Sequence, residues 1–186
     1  MSESQSIDYQ AIFQHAPVGM CISHHRVIQA CNSALAKMFG YERDALVGQS
    51  FLVLYPTPDE FERTGARIVP IMNAKGRYSD ERIMRRADND LFWCHVTGRA
   101  LVVSDPHAAG IWAFEDLSET RPVTAKLTPR EREIAALLVE GKTSKLIARQ
   151  VGLSPRTVEM HRAKLMRKFA AATSSELVHR LLGVSN

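Results

Sequence analysis

Residues 127–169 read LTPREREIAALLVEGKTSKLIARQVGLSPRTVEMHRAKLMRKF, and this stretch decides the fold of the last third of the chain. Thr128 followed by Pro129 predicts a helix start, because threonine caps free N–H groups and proline fits the first helical position. A Ser-Pro pair later in the stretch predicts a second start of the same kind. Between these points, Gly152 suits the sharp turn that joins two helices. The spacing therefore predicts a helix-turn-helix.

The helix that follows this turn has two distinct faces when it is plotted at 100° per residue. Its apolar side carries Val158, His161, Leu165 and Phe169, which are expected to pack inward. The opposite side, flanked by Glu159, carries cations and small or flexible residues: Arg156, Met160, Ala163, Lys164 and Arg167. Such a surface suits a DNA major groove about 12 Å wide. A merely solvated basic helix is the alternative interpretation.

The stretch resembles the DNA-binding domain of LuxR/FixJ/NarL regulators, through its L-T-x-R-E, A-x-x-x-G-L-S and T-V-x-x-H runs. The resemblance implies four helices, of which the third enters the major groove with Glu159, Met160 and Ala163 facing the bases. It also implies a set of phosphate contacts, from Lys145, Arg156, Thr157, Arg162, Lys164, Arg167 and Lys168. The fourth helix is expected to dimerise through Leu177, Val178 and Leu181. Leu146 departs from the family, which usually has glutamate there.

Charge is divided unevenly along the 186 residues. Residues 121–186 contain 13 Lys and Arg and 5 Asp and Glu, a net charge of +8, whereas residues 1–120 contain 11 and 15, a net charge of −4. A basic segment joined to an acidic one is typical of a nucleic-acid-binding module tethered to another domain. The expected partner is double-stranded promoter DNA.

The remainder of the chain is predicted to be α+β, with strands at 77–86, 91–104 and 110–117. IFQHAPVGMCI at 12–22 and RVIQACNSALAKMFGYERDALVGQSF at 26–51 resemble a PAS domain. That resemblance implies an antiparallel sheet with helices on one face. The whole chain is thus predicted as a PAS-like domain at 1–117, a linker at 118–127 and an all-α four-helix helix-turn-helix domain at 128–186.

A PAS fold can hold a small molecule between its helices and sheet. Candidate lining residues are Met20, Ile22, Met38, Phe39, Phe51, Leu52, Phe61, Ile68, Met72, Met84, Trp93, His95 and Trp112. The same side chains would equally form an ordinary core. The sequence does not identify a cofactor, because it agrees equally well with a domain that binds a small organic ligand and with an empty domain that only dimerises. Haem is disfavoured, since residues 58–74 contain no histidine and only His95, Cys94 or Met20 remain as axial ligands.

The bulk properties favour a cytoplasmic protein without a membrane partner. No apolar run approaches the roughly 18 residues that cross a bilayer, and MSESQSIDYQ lacks the features of a signal peptide. An odd number of cysteines, three, excludes a disulfide framework. They are expected to be buried apolar residues, or else a thiol sensor in which Cys21 and Cys31 meet across adjacent strands.

We find no catalytic signature such as G-x-S-x-G, a P-loop or H-E-x-x-H, so an enzyme is not expected. The chain is interpreted as a one-component, homodimeric transcriptional regulator whose PAS domain senses a small ligand or controls dimerisation. Contact with RNA polymerase is common in the family it resembles. The alternatives are a PAS-based protein-interaction adaptor with weak DNA binding, and a haem-based redox or gas sensor.

Overall fold

The computed structural model describes residues 7–102, 104–123 and 125–183; the outermost residues of the two predicted domains lie outside this range. The first domain contains a five-stranded antiparallel sheet in the order β2-β1-β5-β4-β3. Its strands are β1 (Gly19–His24), β2 (Val27–Cys31), β3 (Arg77–Arg85), β4 (Leu91–Ala100) and β5 (Gly110–Asp116). The predicted strand at 91–104 ends earlier, because the N–H of Leu101 bonds to the carbonyl of Ala109 at 2.9 Å and closes the loop.

Four helices belong to this domain: α1 (Tyr9–His15), α2 (Ser33–Phe39), α3 (Arg43–Leu46) and α4 (Pro58–Lys75), with a 3-10 turn at Phe51–Leu54. Asn32 begins α2, since its side chain accepts from the N–H of Leu35 at 3.0 Å. The same side chain accepts from the N–H of Met20 at 2.9 Å and donates to the carbonyl of Val18 at 2.8 Å. One buried amide therefore fixes both the start of α2 and the start of β1.

The core of this domain lies between one face of the sheet and the helices. Alternate strand residues point inward, as the period of two requires. Phe39 of α2 is fully buried and meets the rings of Phe92 and Phe114 edge-on, at centroid distances of 5.3 and 5.8 Å. This is the predicted α+β arrangement of an antiparallel sheet with helices on one face, and the fold prediction is confirmed.

The second domain contains α5 (Pro129–Val139), α6 (Ser144–Val151), α7 (Pro155–Lys168) and α8 (Ser174–Leu181). Thr128 and Glu131 form a reciprocal capping box at the start of α5. Gly152 adopts a φ of 65°, a left-handed conformation that glycine reaches without strain, and so permits the turn from α6 into α7. Ile134, Ile147, Val158 and others bury a compact core, and the predicted four-helix helix-turn-helix domain is confirmed.

The two domains are in direct contact. Helix α5 packs against the edge strand β3, and Ile83 and Trp93 from the outer face of the sheet join the apolar core of the helical domain. Two residues of the predicted linker at 118–127 lie against the domains. Arg121 forms an ion pair with Glu81, and Leu127 is 8% exposed. Among the described helices, none is both long enough and apolar enough to span a bilayer.

Candidate nucleic-acid interface and ligand cavity

The outer face of α7 is open to solvent. Val158 and Leu165 on its inner side are fully buried, and this fixes the rotation of the helix. The predicted base-facing residues Glu159, Met160 and Ala163 are all exposed, and Met160 is 49% exposed. The helix therefore presents the predicted reading face without obstruction from the rest of the described chain.

The predicted phosphate contacts divide into free and engaged side chains. Lys145, Arg156, Lys164 and Arg167 are exposed, with no hydrogen bond or ion pair to another described residue. Thr157, Arg162 and Lys168 are engaged within the domain. The Thr157 hydroxyl lies 2.8 Å from that of Ser154, and Lys168 donates to Glu131 at 2.6 Å and to the carbonyl of Lys126 at 2.8 Å. The free cations are the ones that neutralise phosphate at no internal cost.

Two of the free cations, Lys145 and Arg156, line a shallow, open groove at the N-terminal ends of α6 and α7. Its lining consists of Lys142, Thr143, Ser144, Lys145, Pro155, Arg156, Glu159 and Arg162. Helix N-termini present unsatisfied N–H groups and partial positive charge, which add to the attraction of the cations for an anionic backbone. The groove thus lies beside the reading face of α7 and carries the charge that DNA phosphates require.

Helix α8 requires a correction to the residues predicted for dimerisation. Leu177 and Leu181 are 1% and 2% exposed, because they pack into the core of their own domain. Val178 is half-buried. The outward surface of α8 also carries Ser175 and His179, which are exposed, and a contact of α8 with a second chain stays a prediction. The apolar spacing that suggested a dimer seam instead marks the inner face of the helix.

A cavity of about 480 Å³, part of it open to solvent, lies between the inner face of the sheet and α4. Five of the predicted residues line it: Phe51, Phe61, Ile68, Met84 and Trp112. The sequence prediction missed Ser23, Arg26, Tyr55, Gly65, Arg82, Val96, Pro106, His107 and Phe114, which complete the wall.

The other predicted lining residues lie elsewhere. Met20, Ile22 and His95 alternate along their strands with inward-facing residues, and they therefore lie on the outer face of the sheet. Trp93 lies on the same outer face and packs against the helical domain. Phe39 and Met72 are fully buried in the core beside the cavity, and Met38 and Leu52 pack against that core. For the four residues in strands, the alternation of side chains decides which face they occupy, because a shift of one residue moves a side chain to the other face of the sheet.

The three haem-ligand candidates do not line the cavity. His95 lies on the outer face, 3.4 Å from the hydroxyl of Ser79 and 3.9 Å from a carboxylate oxygen of Glu81. Met20 lies on the same face. Cys94 is fully buried in the core, where burial raises the pKa of its thiol to about 12. The arrangement does not fit a haem held by these side chains.

Hydrogen-bond donors dominate the polar part of the cavity wall. The hydroxyl of Ser23 accepts from the indole N–H of Trp112 at 2.9 Å, and the hydroxyl of Tyr55 accepts from Arg82 at 2.5 Å. Neither hydroxyl donates to another described residue, although Ser23 and Tyr55 are only 3% and 8% exposed. No carboxylate lines the cavity. Burial and nearby Arg26 lower the pKa of His107, so its imidazole is neutral at pH 7.

Arg82 connects the cavity to the domain interface. Its guanidinium donates to Tyr55 and to Asp80, and Asp80 also accepts from Arg67 at 2.8 Å and from the hydroxyl of Tyr78 at 2.6 Å. Arg82 and Tyr55 line a second, smaller cleft as well, whose far wall is formed by Arg132 and neighbouring residues of α5. One layer of side chains therefore separates the cavity from the helix-turn-helix domain.

Helix α4 makes the second connection. Its Phe61, Gly65 and Ile68 face the cavity, whereas Glu60 faces α5. Glu60 forms a two-pronged ion pair with Arg132, with N–O distances of 2.9 and 2.8 Å, and both side chains are less than 10% exposed. A movement of α4 that follows from occupancy of the cavity must therefore act on α5.

Comparison with known families agrees with this division. Residues 17–119 match the PAS domain family, and residues 125–181 match the family of bacterial regulatory proteins, luxR family. The first match spans more than half of the chain. A sensory PAS fold joined to a DNA-binding helix-turn-helix defines a class of transcriptional regulator. The chain belongs to the PAS-containing regulators of the LuxR family.

Three relatives illustrate the match. The PAS domain of a LuxR-family transcriptional regulator from Burkholderia thailandensis, solved in complex with ethanol, is 58% identical, with a TM-score of 0.59; the alignment covers 60% of this chain and 99% of that one. FixJ from Bradyrhizobium diazoefficiens is 50% identical over 54 residues, which is 29% of this chain and 26% of FixJ. VqmA from Vibrio cholerae is 22% identical over 96% of this chain and 88% of its own, with a TM-score of 0.57, and shares the fold. The chain spans between 20% and 28% of the curated relatives that it first matches.

Proposed function

We propose that this protein is a cytoplasmic one-component regulator that binds a specific promoter sequence through α7 and responds to a small molecule in its PAS cavity. The observation that carries the proposal is the exposed reading face of α7 beside four free cations, Lys145, Arg156, Lys164 and Arg167. The cations supply affinity and register, while the side chains of the reading face supply sequence preference.

The reading face suggests which bases it contacts. The Glu159 carboxylate can accept a hydrogen bond from the N4 amino group of cytosine, and Met160 with Ala163 can contact the methyl group of thymine. Lys164 projects from the same helix as a free cation. Its role would be electrostatic, since a flexible ammonium group recognises phosphate as a point charge.

The cavity supports the sensory half of the proposal. Two buried hydroxyls, from Ser23 and Tyr55, each have a proton to donate. The two arginines of the wall are already paired with carboxylates outside it, Arg26 with Glu62 and Arg82 with Asp80. Buried donors are rarely left without a partner. The ligand is therefore a small molecule that offers oxygen or nitrogen acceptors, with an apolar part against the aromatic rings. A cationic amine has no counterpart in this wall.

A two-fold dimer is the expected active form, since two half-sites about one helical turn apart would be read together. Recruitment of RNA polymerase by the bound dimer belongs to the same proposal. A ligand alters the output only when its affinity differs between the DNA-binding and non-binding arrangements. The layer formed by Arg82, Tyr55 and α4 is where such a difference would arise.

The test is a selection of binding sites from random duplex DNA with the purified full chain. Affinity for the selected site and for its scrambled version is then measured over a range of salt concentrations. A specific regulator prefers its site by about a thousandfold or more. A protein-interaction adaptor, the second candidate, yields no enriched sequence and binds both duplexes alike. Mass spectrometry of the denatured extract of natively purified protein identifies any co-purified ligand.

A further inference from the structure

The reading face contains a cluster of four side chains from three helices. The guanidinium of Arg162 in α7 donates to the hydroxyl of Ser144 in α6 at 2.8 Å and to the hydroxyl of Ser174 in α8 at 2.7 Å. It also forms an ion pair with Glu159, one turn earlier in α7, at 3.0 Å. The hydroxyl of Ser144 is in turn hydrogen-bonded to the same Glu159 carboxylate oxygen. All four side chains are therefore connected, and each bonds directly to Arg162 or is Arg162 itself.

Burial separates the two charged members of the cluster. The side chain of Arg162 is 21% exposed, whereas that of Glu159 is 57% exposed. The guanidinium is therefore turned into the domain and the carboxylate is turned outward. Three of the five N–H groups of Arg162 are engaged by two serines and one glutamate, so a phosphate contact by this side chain would have to use the remaining two. The free cations on the same surface bind phosphate without any such restriction.

A glutamate on a DNA-reading helix has an electrostatic difficulty. Its negative charge is repelled by the phosphates that flank the groove, unless a nearby cation compensates that charge. A solvent-exposed glutamate also has free rotamers, which lose entropy when it binds a base. Arg162 and Ser144 reduce both costs, since they neutralise and orient the carboxylate before DNA arrives.

We infer that Arg162 is a positioning residue that holds Glu159 ready to read a base pair with an exocyclic amino group, and that it acts on sequence preference rather than on affinity for the backbone. This inference rests on the proposed function. It differs from the phosphate role expected from the family resemblance. Ser144 and Ser174 belong to the same device, because they anchor the guanidinium to the helices on either side of α7.

The test compares Arg162→Gln with Glu159→Gln and with the matched control Lys164→Gln, all in the full chain. For each variant, affinity is measured for the selected site, for all single base-pair changes in one half-site and for random DNA. The expected result is that Arg162→Gln and Glu159→Gln flatten the preference at the same base pair by about tenfold. Affinity for random DNA falls in Arg162→Gln only through the uncompensated charge of Glu159, so neither Glu159→Gln nor the double variant Glu159→Gln, Arg162→Gln shows that loss. Lys164→Gln instead weakens binding to all duplexes and lowers the salt slope by about one.

Two results would overturn the inference. The first is a uniform loss of affinity, with a salt slope reduced by about one, that persists in the double variant Glu159→Gln, Arg162→Gln, which identifies a phosphate contact. The second is a loss of preference at a base pair that Glu159→Gln leaves unchanged, which identifies direct reading by the arginine. Arg162→Lys is measured alongside: it keeps the charge but lacks the fork that bridges three partners, and we expect the same flattened preference.

The outcomes also separate this inference from the proposed function. If the unmodified chain selects no sequence at all, the proposed function fails and the role of Arg162 fails with it. If the unmodified chain selects a site and the uniform loss of affinity persists in the double variant, only the positioning role fails. Circular dichroism and thermal unfolding of each variant confirm that the domain is folded, and Arg162→Lys supplies the answer if the glutamine variant is not.

Discussion

Replacing Glu60 by glutamine should loosen the contact between the two domains. The carboxylate accepts two bonds from Arg132 and a third from the hydroxyl of Thr57 at 2.7 Å. Glutamine keeps the size of the side chain but removes the charge. The guanidinium of Arg132, 7% exposed, is then left at the interface without a carboxylate, with the carbonyl of Leu127, 2.7 Å away, and the glutamine amide oxygen as neutral acceptors.

The expected magnitude follows from the burial of the pair. Removing one partner of a buried ion pair costs about 3–5 kcal/mol, because the remaining charge stays desolvated. The carbonyl of Leu127 and the amide oxygen of glutamine still accept bonds, so we expect the lower end, about 3 kcal/mol. Glu62→Gln is the matched control on the same helix. Its side chain is 70% exposed and pairs with Arg26 at 3.1 Å, so it should cost no more than about 1 kcal/mol.

Urea unfolding followed by circular dichroism and by tryptophan fluorescence measures both effects. Trp93 is 2% exposed at the domain interface, and the guanidinium of Arg121 lies over its ring, 5.2 Å from the centroid, a contact that would open when the domains separate. Fluorescence should therefore change before helix content does in Glu60→Gln. A free energy of unfolding within about 0.5 kcal/mol of the unmodified chain, with coincident transitions, would refute the reasoning. The double variant Glu60→Leu, Arg132→Leu should recover most of the loss, because it leaves no unpaired charge.

Three further outcomes are expected. Burial, and then the neighbouring Lys164, lower the pKa of His161, so the unfolded state binds the proton more readily than the folded state. The unfolding temperature should therefore fall as pH drops through the ordinary histidine range, and His161→Gln should reduce that fall. Gly183→Ala should lower the unfolding temperature more than Gly141→Ala, because both have left-handed φ but only at Gly183 would a Cβ meet the interdomain linker, at 2.0 Å. Cys21 and Cys31 face each other across β1 and β2, and burial raises the pKa of both thiols. A thiol reagent should therefore modify them only as fast as the chain unfolds, and rapid labelling of the native protein would contradict this.

The helix-turn-helix could be predicted closely because its signals are local. The Thr128 cap, the turn at Gly152 and the apolar stripe of α7 each act within a few residues, and the structure confirms the four helices. The same reasoning from apolar spacing led to the prediction that α8 dimerises through its leucines. Leu177 and Leu181 lie on an apolar face, but periodicity alone does not reveal whether such a face meets its own core or a second chain.

The cavity could be predicted only in part, because its wall is assembled from distant segments. Phe51 and Trp112 follow from their size and from the PAS resemblance. Arg82 and Ser23 do not, since polar residues in strands are ordinarily assigned to the solvent side. A signal was nevertheless present for Arg82. Arg82 lies two residues after Asp80 in β3, so both side chains lie on the same face of the strand. An Arg and an Asp placed in this way can pair and be buried together.

The interface between the domains was not predicted, since the segment at 118–127 looked polar and proline-interrupted. In the structure, Arg121 pairs with Glu81 across 40 positions, and Glu60 with Arg132 across 72. Pairs at such separations leave no periodic trace in a single sequence. Charged residues near a predicted boundary are as compatible with a docked surface as with a solvated linker.

If the cavity binds the proposed ligand, the shared wall formed by Arg82 and Tyr55 constrains how a new ligand preference can arise. Because these two side chains border both the cavity and the cleft beside α5, a substitution there would change ligand preference and signal transmission in a single step. Ser23 and Trp112 border the cavity alone. Natural divergence and laboratory evolution of specificity should therefore accumulate changes on the Ser23 side, where recognition can drift while the response is retained.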